Sequence, residues 1–147
     1  MGTAEEKPDY AQELFGLTNE RRKRAGLDPL EPDDRLLSAA RDYARSVVLS
    51  RWWTTHPYVP EIHCGVDCRD MYDRAVDAGY PPAHIGENVL WGSWGRTAEQ
   101  GFNDMIQGGE DPNDPRYSYR YMAIACYVRR DPPPAEYACV QVLGAVP

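Results

Sequence analysis

The chain has 147 residues, a formal net charge of −7 at neutral pH and a sequence pI near 4.9. That length supports one domain with one core, and the acidic balance excludes a nucleic-acid binder, which needs clustered Lys and Arg to displace phosphate counterions. No window reaches the roughly 18 apolar residues of a membrane-spanning helix, and the opening MGTAEEKPDY has neither the basic nor the apolar region of an export leader.

Residues 1–8 are expected to form a flexible N-terminal segment and residues 9–147 a single domain. Tyr10, Leu14, Leu17 and Arg21 recur at helical spacing and predict a helix over 9–25, with Asp9 as its cap and Gly26 as its stop. The basic run Arg21, Arg22, Lys23 and Arg24 falls in its last turn, where cations complement the carbonyl-rich end, so it reads as helix chemistry and not as a binding patch. After the linker LDPLEP, a second helix is capped by Asp33 or Asp34, with Leu36, Ala40, Tyr43, Ala44 and Val47 or Val48 on one face. Trp52 and Trp53 are expected to continue it.

Residues 54–68, with two prolines and the loop CGVDC, read as irregular. CRDMYDRAVDAGY predicts a third helix, stopped by Gly79 and the pair Pro81-Pro82. In HIGENVLWG, His84 and Glu87 stand three apart; if the segment is extended they point to opposite faces, which argues against a local His–Glu pair. Trp91 and Trp94 follow, each beside a glycine, read as packing residues or as a grip for a lipid, a glycan or a partner protein. Thr97 with Gln100 three residues later is a capping-box pattern. In GGEDPNDP, Glu110, Asp111, Asn113 and Asp114 bunch their oxygens, yet Pro112 and Pro115 break any EF-hand spacing, so the stretch reads as a solvated turn.

The strand-like runs YMAIACYV and EYACVQVLG flank RRDPPP. A hairpin centred between Pro132 and Pro133 sets Cys126 opposite Cys139, so a cross-strand disulfide follows from the register; closing that loop stabilises by about 3 kcal/mol on the chain-entropy estimate. Cys64 and Cys68 are expected to close a second, smaller bridge. Two bridges place the chain in an oxidising compartment. The rival, a four-cysteine zinc site, fits poorly because the spacings are C-x3-C and C-x12-C, not paired C-x2-C arms. Helices first and antiparallel strands last give an α+β layout. There is no G-x-S-x-G elbow, Gly-rich phosphate loop or H-E-x-x-H, and a Cys nucleophile would need a thiol that the bridges remove.

The words LTNERRKRAGLDPLEPDDRLLSAARDYA, RAVDAGY, GENVLWG and YACVQVLG, in this order, resemble bacterial members of the CAP superfamily (cysteine-rich secretory proteins, antigen 5 and pathogenesis-related proteins, also called SCP-like) over residues 10–145. The resemblance implies an α-β-α sandwich with a three-stranded antiparallel sheet between helical layers. It also implies export, hence an extracellular, cell-surface or periplasmic location, with any leader absent from this chain. Asn19 and Arg22 match a structural pair.

The family further implies a cavity of two His and two Glu able to hold a divalent metal. Here His56 matches the first His, with His63 as the alternative, and Glu87, with Asn88 beside it, matches one Glu. The second His has no counterpart, and Met105 and Gly108 stand where the Trp-x-x-Glu pattern would supply the other Glu. Glu110 or Asp111 is the available substitute and would favour an oxygen-preferring ion. A secreted, monomeric binding module for a lipid, cell-wall or protein ligand, with no resident cofactor, is therefore expected over a metal-assisted hydrolase using His56, Glu87 and an acid from 110–114. In that reading Glu87 and Asn88 form a hydrogen-bond hub joining helix, loop and sheet, with His56 as the partner of Glu87.

Overall fold

A computed structural model describes residues 3–55 and 69–146; His56, His63, Cys64 and Cys68 lie outside the described residues. The elements are β1 (Glu5–Glu6), α1 (Pro8–Arg24), β2 (Glu31–Pro32), α2 (Asp34–Ser50), α3 (Trp52–Thr55), α4 (Met71–Asp77), β3 (Ile85–Ser93), α5 (Ala98–Gly108), β4 (Tyr119–Arg129) and β5 (Glu136–Ala145).

Local chemistry sets most boundaries. α1 starts at Pro8, whose fixed φ and missing N–H suit the first helical position, so Asp9 sits in the first turn and does not cap. Gly26, at φ 77°, turns the chain just after the helix. In α2 the Asp33 carboxylate accepts from the Arg35 and Leu36 backbone N–H groups, and Leu36, Ala40, Tyr43, Ala44, Val47 and Val48 form the buried face. The helix ends where Arg51 adopts a left-handed φ of 50°. Trp52 and Trp53 therefore begin the separate α3 and do not prolong α2. Asp70 caps α4, and Thr97 with Gln100 forms a capping box on α5.

Asp33 gives a pH-dependent test. Burial acts to raise its carboxyl, but the hydrogen bond and charge of Arg35 and the capped N–H groups outweigh this and hold it below its ordinary value. A depressed folded-state value stabilises above the unfolded range near 3.9, and the benefit is lost as pH falls through the folded value. Asp33→Ala is expected to cost about 1 kcal/mol in urea unfolding at pH 7. The gap from wild type should narrow as pH falls below the ordinary carboxylate range; a gap of undiminished size in strong acid would contradict the ionic cap.

β3, β5 and β4 form an antiparallel core in that order, with Cys126 directly opposite Cys139 and bridged to it. The sheet has five strands, not the expected three. β1 pairs antiparallel with Val128 and Tyr127, and β2 pairs parallel with Tyr121 and Met122, both along the outer edge of β4. An edge strand presents unpaired N–H and C=O groups that short extended segments can satisfy. Lys7 N–H continues the pairing by donating to Cys126 O at 2.8 Å. Glu5 and Glu6, expected in a flexible segment, are thus part of the sheet.

Alternation along β4 divides the core. Met122, Ile124, Cys126 and Val128 pack with Leu14 of α1 and with Phe102 and Met105 of α5. Ala123, Ala125 and Tyr127 pack with Leu36, Val47 and Val48 of α2 and Ala75 of α4. A register shift between Tyr119 and Tyr121, a β-bulge, turns Tyr119 toward the α1 and α5 side.

Candidate functional site

β3 runs extended through Glu87 and Asn88, so the two side chains leave on opposite faces. Both are buried, at 4% and 3% exposure, and polar groups at that depth need partners. On the α2 and α4 side, Arg74 Nη2 donates to both Glu87 oxygens, at 2.8 and 2.6 Å. The guanidinium carbon lies 3.5 Å from the centroid of the Tyr43 ring, and Nη1 donates to Arg69 O at 2.6 Å. Arg74 thus bridges α2, α4 and β3 as a part-buried cation between a carboxylate and an aromatic face. Burial raises the Tyr43 hydroxyl far above its ordinary value, although the Arg74 charge opposes it, so the ring is neutral.

On the other face, Asn88 Nδ2 donates to Glu110 O at 2.9 Å and to Gln141 Oε1 at 2.8 Å, while Asn88 Oδ1 accepts from Glu110 N–H at 2.7 Å. Gln141 is the cross-strand neighbour of Asn88. Its Nε2 donates to Thr18 Oγ1 at 3.1 Å, and that hydroxyl donates to Leu14 O at 2.9 Å. One buried chain of hydrogen bonds therefore links α1, β5, β3 and the loop after α5. Gly109 makes room for it: a Cβ there would strike Asn88 Oδ1.

The loop at 109–118 is held at further points. Asp111 pairs with Arg21 at 2.8 Å, and Arg22 Nη1 donates to Pro112 O at 2.7 Å. Arg22 Nε also donates to Asp28 O, and the Asn19 amide exchanges two hydrogen bonds with the Leu30 backbone. Tyr119 OH donates to Glu110 Oε1 at 2.8 Å, so toward His84 Nε2, 3.1 Å away, it accepts and the imidazole carries the proton at Nε2. His84 stacks on Tyr117 at 3.6 Å.

These placements separate the residues expected to share a cavity. A Cβ at Gly86 would lie 2.9 Å from Glu110 Cγ, which puts Glu110 on the Gly86 and Asn88 face, across the sheet from Glu87. Glu110 is bound to Tyr119 and Asp111 to Arg21, and neither joins Glu87. His84 belongs with Tyr117, Tyr119 and Glu110, again away from Glu87. Among the described residues no group of three His, Cys, Asp or Glu is arranged to hold a metal ion. Glu87 there meets the Arg74 guanidinium, and His56 and His63, expected beside it, lie outside the described residues.

Sequence reasoning did not pick Arg74 as a partner of Glu87. The available signal was an Arg inside the helical word RAVDAGY, immediately before Ala75, a fully buried position. Trp91 stacks with Trp53 at 6.3 Å, and Trp94 lies against Tyr10 and Tyr137 at 5.2 and 5.6 Å.

Comparison with known proteins places this geometry. The model of the CAP, cysteine-rich secretory protein family matches residues 15–129, and the chain belongs to that family. In fold it is similar to an outer surface protein of Borrelia burgdorferi, with a TM-score of 0.62 and 14% identity over 99% of this chain and 100% of that one. It is also similar to a cysteine-rich secretory protein of Staphylococcus aureus, with a TM-score of 0.55 and 18% identity, covering 93% of this chain and 39% of that one. No curated protein matches the sequence. No helix among the described residues is long and apolar enough to cross a membrane.

Proposed function

We propose that the chain is an extracellular CAP-domain binding module for a lipid, cell-wall or protein ligand, in which the Glu87 position serves as a structural anchor. The observation that carries this reading is the Arg74–Glu87 pair. A guanidinium touching both oxygens supplies the positive charge that a divalent ion would bring, and a second cation there would meet electrostatic repulsion. Helices on both faces of the sheet support the α-β-α sandwich, and the names of the two structural neighbours, an outer surface protein and a secretory protein, support an extracellular location. The metal-assisted hydrolase needs an acid from residues 110–114 beside Glu87, and Glu110 and Asp111 are held on other partners.

Calorimetric titration of Zn2+ and Ca2+ into the purified protein and its Glu87→Ala variant tests the reading. Neither ion is expected to bind stoichiometrically to either protein. Tight one-to-one binding to the wild type that the variant loses would overturn it in favour of the hydrolase.

A further inference from the structure

A groove of about 680 Å³ opens between the end of α1, the linker into β2 and the loop before β4. None of Glu87, Asn88 or Arg74 lines it. Arg22 does: the residue is buried, at 7% exposure, and makes no salt bridge among the described residues, although the Asp28 charge acts on it. Nε and Nη1 are spent on the carbonyls of Asp28 and Pro112, which fixes the plane of the group and leaves Nη2 without a hydrogen-bond partner among the described residues. Asn113 also lines the groove, and its Oδ1 is buried with no hydrogen-bond partner among them.

A guanidinium oriented by two carbonyl contacts, with one nitrogen left over, favours a carboxylate or phosphate. The remaining walls choose between anions. Arg120 stands at the groove with Arg22, but Asp28 and Glu31 line it as well, while Asp114 is engaged by Arg116 at 2.7 Å. Asp28 and Glu31 disfavour a simple anion; a ligand carrying both a carboxylate and an ammonium meets both signs of charge among the residues that line the groove. The volume falls in the range of small-ligand pockets.

We propose that this groove binds a short peptide with free termini, its carboxylate on Arg22 Nη2 beside Arg120 and its ammonium toward Asp28 and Glu31. The proposal rests on the reading of the chain as a binding module and supplies a site and a ligand class for it.

The test is a titration of 15N-labelled protein with tri-alanine, its C-terminal amide and its N-acetyl form. Tri-alanine is expected to give saturable shifts confined to residues 27–31 and 113–120, with the amide binding at least about tenfold more weakly and the acetyl form weakened less. Arg22→Lys, which keeps the charge but loses the fork, should weaken tri-alanine about tenfold; because that change also disturbs two carbonyl contacts, Arg120→Glu on the exposed rim provides the second variant and should weaken it similarly. Absence of saturable shifts, equal binding of the amide, or full affinity in Arg120→Glu would overturn the proposal. Those results would leave the module reading standing, because that reading falls only to stoichiometric metal lost with Glu87.

Discussion

Arg74→Ala is expected to destabilise the protein by about 3–5 kcal/mol, which for a domain of this size lowers the melting temperature by roughly 10 °C. The substitution removes the group that reaches both Glu87 oxygens and sits over the Tyr43 ring. It leaves the Glu87 carboxylate, at 4% exposure, without the guanidinium that contacts both of its oxygens. Solvent-exposed pairs on the same protein, such as Arg24–Glu20, should cost well under 1 kcal/mol when broken. The double variant Arg74→Met with Glu87→Leu should recover much of the loss, since burial of the charges, and not their absence, carries the cost. Thermal unfolding of the three proteins decides the matter. A single variant melting within a degree or two of the wild type would remove the anchor from the account of the fold.

Asn88→Ala should cost about 3 kcal/mol, with a different signature. The side chain satisfies both backbone groups of Glu110 and the Oε1 of Gln141, the last of these contacts buried and the two to Glu110 part-buried. Its loss strands a donor and two acceptors at once. The loop at 109–118 should then open locally before the sheet does, so native-state hydrogen exchange at the Glu110 amide is expected to accelerate far more than exchange within β5. An unchanged Glu110 rate in a folded variant would show that the loop is held by Arg21, Arg22 and Tyr119 alone.

What could be read in the sequence was chemistry that acts over a few residues or along a simple period. Asp33 and Thr97 were visible as caps because their oxygens need only reach N–H groups two or three positions away. The apolar face of α2 followed from a period of 3.6, and the opposition of Cys126 and Cys139 from their symmetry about a turn centred between Pro132 and Pro133. The split of α2 from α3 was not legible, since Arg51 is not a residue type that signals a left-handed turn. Nor were β1 and β2, because two residues hold no period and their pairing is dictated by the free edge of β4.

The site followed the same division. The GEN word located Glu87 and Asn88, and the extended reading of its strand correctly separated His84 from Glu87. Partners supplied from elsewhere in the chain, Arg74 for Glu87 and Gln141 for Asn88, depended on how α4 and β5 pack against β3. Such contacts leave no mark on either local stretch.

The bulge at the start of β4 makes residue number itself a determinant of the loop. One surplus position between Tyr119 and Tyr121 decides which side of the sheet the Tyr119 hydroxyl occupies, and with it the bonds to Glu110 and His84. Removing that position would return the strand to even counting and carry the phenol across to the α2 layer, where Tyr80 and Tyr121 already lie. A single-codon deletion would therefore dismantle this corner while every residue that contacts it keeps its identity, a route that catalogues of substitutions would not reveal.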